Sequence, residues 1–108
     1  MVPILNAQQV RAADVHTISN EPIASIDLME RASSACVAFI VDRLLGGGRL
    51  QASGFLILAG PGKNGGDGAA VARLLHAHGL NARLAVTQAG KPSPDRIANV
   101  ERAQQAGV

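Results

Sequence analysis

The chain has 108 residues, 47% of them hydrophobic, and a formal net charge of +2, which suits one small domain with its own core. Two Phe with no Trp or Tyr make that core aliphatic and leave no aromatic platform for stacking nucleic-acid bases. Scattered basic residues argue against a nucleic-acid partner, and no apolar run nears the ~18 residues of a membrane span.

Asn6, with Gln9 three residues on, predicts a capped first helix that ends near Ser19-Asn20, since Glu21-Pro22 blocks its continuation. Val10, Ala13 and Ile18 give it an apolar face, with the charge of Asp14 beside it. A second helix is predicted from Ser25 as cap, with Asp27 near its positive end. Its stripe is Leu28, Met29, Ala32, Ala35, Cys36, Phe39, Ile40 and Leu44, and Gly46-Gly47-Gly48 is its expected stop. Cys36, the single cysteine, reads as a buried structural thiol; with no partner for a disulfide it suits an intracellular, cytoplasmic protein. The chain opens without the basic region and apolar stretch of a secretory leader. Adjacent Glu30 and Arg31 read as a solvated pair.

Phe55 to Ala59 is a short apolar run without alternation, which predicts a strand buried on both faces. A third helix is expected from about Asp67 to His78, with Ala70, Val71, Leu74 and Leu75 on one face and Gly79 at its C-cap. His76 and His78 stand two apart and cannot share a metal from one helical face. Ala82 to Val86 predicts a second, parallel strand, which completes a strand–helix–strand unit. Ser93-Pro94-Asp95 starts a fourth helix, with Ser93 as cap and Ile97, Val100 and Ala103 or Ala106 as its inner face.

Between the first strand and the third helix, Gly60-Pro-Gly62-Lys-Asn-Gly65 satisfies the dinucleotide pattern Gly-x-Gly-x-x-Gly. The acidic residue that pattern wants about 20 positions on is missing: no Asp or Glu lies between Asp67 and Asp95, which argues against an ordinary NAD-dependent dehydrogenase. The phosphate-loop pattern also fails, since Lys63 precedes Gly65-Gly66 and no Ser or Thr follows it. Lys63-Asn-Gly-Gly-Asp-Gly68 remains: glycines that admit a ligand to the backbone, an amide oxygen at Asn64 and a carboxylate at Asp67. At a helix start the Asp67 carboxyl is expected to be depressed, which suits a hydrogen-bond acceptor.

The run Gly-Pro-Gly-x-Asn-Gly-Gly-Asp-Gly, with Ala72 to Leu75 after it and Leu28-Met29-Glu30-Arg31-Ala32 before it, resembles the NAD(P)H-hydrate epimerase family, whose domain is also called YjeF N-terminal. The resemblance covers essentially all of residues 1–108 and implies a Rossmann-like α/β/α sandwich with a mostly parallel sheet. It implies interconversion of the R and S forms of hydrated NADH and NADPH, which lets an ADP-dependent dehydratase, fused or separate, restore the cofactor. It also implies a homodimer, with the Glu30 region near the site or a dimer contact. By motif, Lys63, Asn64, Gly65, Gly66 and Asp67 would line the substrate site and Asn64 would ligate potassium. Lys63 stands where the family usually has Asn, which keeps a donor and adds a charge. The family domain is about twice as long, and its later Asp-containing segment has no counterpart here. The chain therefore resembles the N-terminal half, with the acid/base expected beyond Val108 and marginal stability for the piece alone. A non-catalytic nucleotide-binding or interaction module of the same fold is the alternative.

Overall fold

A computed structural model describes residues 2–45 and 54–108. Four helices and a two-stranded sheet alternate as α1 (Ala7–Asn20), α2 (Ser25–Ile40), β1 (Phe55–Ala59), α3 (Lys63–Ala77), β2 (Ala82–Val86) and α4 (Pro94–Ala106). A π-helical turn, Val41–Leu45, extends α2. The expected glycine stop of α2 and the side chain of Leu44 lie outside the described residues. The strands pair in parallel, Phe55 with Ala82 through Ala59 with Val86, as a strand–helix–strand unit requires. This mixed α/β arrangement is compatible with a fragment of a Rossmann-like α/β/α domain.

α1 begins as its sequence dictates: Asn6 accepts from the Gln9 N–H and the Gln9 side chain accepts from the Asn6 N–H, both at 2.9 Å. The helix buries none of its residues, however, and only Ile18 of the expected face turns partly inward; Val10 is 46% exposed. α2 starts on Ala24 without a side-chain cap, so Ser25 does not cap it.

α3 lies over the sheet and packs against both α2 and α4. The core joins Val37 of α2, Leu75 of α3 and Ala82 of β2, with Ile40, Phe55, Ile57, Val71, Leu74 and Leu80 packed around them. The prediction for β1 needs correction, because Leu56 and Leu58 are 66% and 75% exposed. α2 and α4 pack on α3 rather than on the opposite sheet face, so a strand apolar on both sides is covered on one.

Two other faces also differ from expectation. On α2 the buried positions are Met29, Ser33 and Val37, while Ala35, Cys36 and Phe39 face out. Cys36 is thus an exposed thiol, because the apolar stripe is wider than the contact α3 offers. On α4, Arg96, Asn99 and Ala103 point inward and Ile97 is 46% exposed. Tertiary bonds set this rotation. The Ser93 N–H donates to the Pro61 carbonyl at 2.9 Å, and Arg96 Nη2 donates to the Thr87 carbonyl at 3.0 Å.

Candidate functional site

The glycine stretch is the first turn of a helix rather than a loop. α3 starts at Lys63, four residues before the expected start, with Gly62 as its N-cap in extended conformation (φ −77°, ψ −172°). The Gly65 N–H donates back to the Gly62 carbonyl at 3.0 Å. No side chain caps this end, so N–H groups of its first turn stay available to an anion.

One glycine is required by the protein's own packing, and a second sits in a tight space. A Cβ on Gly65 would lie 1.8 Å from the Gly60 carbonyl oxygen. On Gly66 it would lie 2.8 Å from Met29 Sδ and 3.2 Å from the Arg96 backbone nitrogen. Their missing side chains make room for the end of β1 and for α2 and α4. Both residues are buried, so they shape the turn from behind, whereas the sequence suggested that they clear a path for ligand.

Lys63 and Asn64 are exposed, and Asp67 is half-buried one turn further on. Lys63 and Asp67 share a cleft of about 130 Å³ with Asp14 and Ile18 of α1 and Ser25, Leu28, Met29 and Ala32 of α2. Asn64 does not line that cleft. Dinucleotide pockets need several hundred Å³, so this cleft accepts one fragment of such a ligand.

The electrostatics of Asp67 reverse the expectation. Burial, then the carboxylates of Asp14 and Asp95, push its carboxyl above the ordinary value. The early helix start is the reason. Asp67 sits in the second turn, past the positive end of the dipole, in a partly dry position beside two like charges.

Sequence reasoning missed Asp14, Ser25 and Asp95 as parts of this site. Ser25 Oγ donates to Asp95 Oδ2 at 2.5 Å, which joins the starts of α2 and α4 beside Gly66. Only the charge of Asp14 next to an apolar face hinted at this assembly. The pairing of Glu30 with Arg31 is also corrected. Glu30 bonds Arg73 of α3, and Arg31 bonds Glu21 at 2.7 Å, because neighbours on a helix face different ways. His76 and His78 are both exposed at the end of α3.

Asn64 offers an exposed amide oxygen, a donor type that suits a hard cation, and so fits as one ligand of such an ion. Among the described residues no group of three or more His, Cys, Asp or Glu gathers to hold a metal. Likewise no helix there is long and apolar enough to cross a membrane.

Residues 25–108 match the family described as YjeF-related protein N-terminus. The chain belongs to this family. The YjeF-related match takes in α2, the glycine turn and everything after it, and leaves out α1, which supplies Asp14 and Ile18 to the cleft. Over 97 residues, 90% of this chain, it is 39% identical to the bifunctional NAD(P)H-hydrate repair enzyme Nnr of Salinibacter ruber, and covers 17% of that protein. It is 38% identical over 81 residues to an NAD(P)H-hydrate epimerase of Limosilactobacillus reuteri, which is 75% of this chain and 36% of that protein. With the NAD(P)H-hydrate epimerase of Lentilactobacillus buchneri the identity is 39% over 101 residues, 91% of this chain and 44% of the relative. The chain thus spans less than half the length of each of these YjeF-related proteins.

Proposed function

We propose that this chain is part of an isomerase that interconverts the R and S forms of hydrated NADH and NADPH, so that a dehydratase can restore the cofactor. The observation that carries this reading is the glycine turn of a YjeF-related domain, which presents Lys63 and Asp67 to one cleft at the start of α3. Support also comes from 38–39% identity to proteins named for that substrate.

Each residue of the turn has a part suited to its chemistry. Lys63 and the first N–H groups of α3 attract the dinucleotide phosphates. Gly65 and Gly66 hold those N–H groups in place by letting α3 seat against Gly60, Met29 and Arg96. Asp67 binds the reacting end of the substrate as a hydrogen-bond partner. Its carboxyl lies above the ordinary value through burial and the carboxylates of Asp14 and Asp95, a setting that an N–H or O–H donor on the ligand would relieve. Asn64 would hold potassium through its amide oxygen, and the bound ion would supply a fixed positive charge at the edge of the site. The proposal includes a cytoplasmic protein, a homodimer and a dehydratase partner, fused or separate; the Salinibacter relative is itself named bifunctional.

The test is an epimer-interconversion assay on hydrated NADPH, with and without potassium, using the full-length protein. Interconversion that potassium accelerates is expected, together with loss of measurable substrate affinity in Asp67→Ala. Equal rates with and without the protein would overturn the reading, and unchanged affinity in Asp67→Ala would remove Asp67 from it.

A further inference from the structure

We infer that Ser25 is a substrate contact of this cleft and serves there as a hydrogen-bond acceptor, selecting a ligand that presents a donor to it. The inference rests on the epimerase reading of the cleft. Three observations lead to it. Ser25 lines the cleft together with Lys63 and Asp67. Its hydroxyl has no local duty, since α2 starts on Ala24 with no side-chain cap. And its Oγ donates to Asp95 Oδ2 at 2.5 Å, a carboxylate 70 residues further along the chain.

A serine hydroxyl has one proton to give and two lone pairs to receive with. A hydrogen bond to a carboxylate is among the stronger ones, so it keeps the Ser25 hydroxyl proton directed at Asp95. The same oxygen then offers the cleft lone pairs alone. The other walls agree with that polarity. Asp14 and Asp67 add acceptor oxygens, while Ile18, Leu28, Met29 and Ala32 are apolar and Lys63 is the single cation of the lining. An acceptor-lined cleft of about 130 Å³ takes a small neutral fragment bearing N–H or O–H groups. A hydrated nicotinamide dinucleotide has two such sources: the carboxamide N–H₂ and the hydroxyls of ribose and hydrated ring.

The experiment measures Kd on the full-length protein for hydrated NADPH and for the hydrated, reduced 3-acetylpyridine analogue, in which a methyl replaces the amide N–H₂ without changing charge. Ser25→Ala is expected to weaken hydrated NADPH about three- to tenfold, the range for one hydrogen bond between neutral groups. With the carboxamide as donor, Ser25→Ala leaves the acetyl analogue unaffected; with a hydroxyl as donor, it weakens both ligands alike. Asp95→Ala frees the Ser25 proton but keeps its oxygen in the cleft, so it is expected to lose less affinity than Ser25→Ala. Should Ser25→Ala be unstable, Ser25→Cys keeps the shape with a poor acceptor and gives the same loss. Unchanged affinity in the Ser25 variants, or equal losses in Ser25→Ala and Asp95→Ala as a purely structural clamp requires, would overturn the inference alone. Failure of the unsubstituted protein to bind hydrated NADPH would overturn the epimerase reading, and this inference with it.

Discussion

A single hydrogen in place of a methyl group decides whether α3 can start where it does. At Gly65 an added Cβ would sit 1.8 Å from the Gly60 carbonyl oxygen, which is backbone and cannot rotate away. Gly65→Ala is therefore expected to destabilise the protein by about 3 kcal/mol or more, the upper end for overpacking a tight contact; urea unfolding checks this. Asp67 is the other decisive residue. Its carboxyl is raised in the fold by burial and by Asp14 and Asp95, so the folded state holds the proton more tightly than the unfolded chain does. The stability this contributes is fully present below the ordinary carboxyl value of 3.8 and is lost as pH rises through the raised value. Asp67→Asn is thus expected to be more stable than the parent at neutral pH, with the difference fading below pH ~4. Thermal unfolding of both proteins across that range checks the sign. The six-residue run Lys63 to Gly68 was legible as a special turn, but the direction of this shift was not. It depends on two carboxylates brought in from α1 and α4.

At the scale of elements, both strands were legible to the residue, and so was the start of α4 on Ser93 and Pro94. Local chemistry settles such features: a short apolar run, a cap, a proline that needs no N–H partner. Ser93 Oγ accepts from the Arg96 N–H at 3.2 Å while the Ser93 N–H reaches the Pro61 carbonyl, so one residue caps α4 and ties it to the glycine turn. Ser93→Ala is expected to cost about 1 kcal/mol through the lost cap. The backbone tie survives that change, so substrate affinity should stay within twofold; calorimetric titration and unfolding separate the two effects. The rotation of each helix was less legible than its extent. α4 turns Arg96 and Asn99 inward in place of Ile97, because the partners that hold it lie on other elements: the Thr87 carbonyl for Arg96 and Met29 Sδ for Asn99. No periodicity in the α4 sequence contains those partners.

Among the described residues, the sheet has one covered face and one bare one. α3 with the helices packed against it shields Phe55, Ile57 and Ala59, while Leu56 and Leu58 stand open beside exposed Arg83 and Ala85. Exposed apolar patches on a sheet promote association. The 108-residue chain produced by itself is expected to self-associate through this face. Replacing both residues, Leu56→Lys with Leu58→Lys, is expected to shift it toward monomer, because both positions are exposed and their loss empties no core. Sedimentation velocity of the two forms checks this, and identical distributions would place the association elsewhere.

By itself the sequence determined the order and type of the elements, the parallel strand–helix–strand unit, the glycine turn and the family to which they belong. Those features follow from neighbours within a few residues, where hydrophobic period, capping and backbone freedom act. Only the tertiary structure decided which side of each element faces inward, and that Gly65 and Gly66 serve packing. It alone brought Asp14, Ser25 and Asp95 together around Asp67. The physical reason is range. Burial, like-charge repulsion and a hydrogen bond between residues 70 positions apart exist only after the chain has folded on itself.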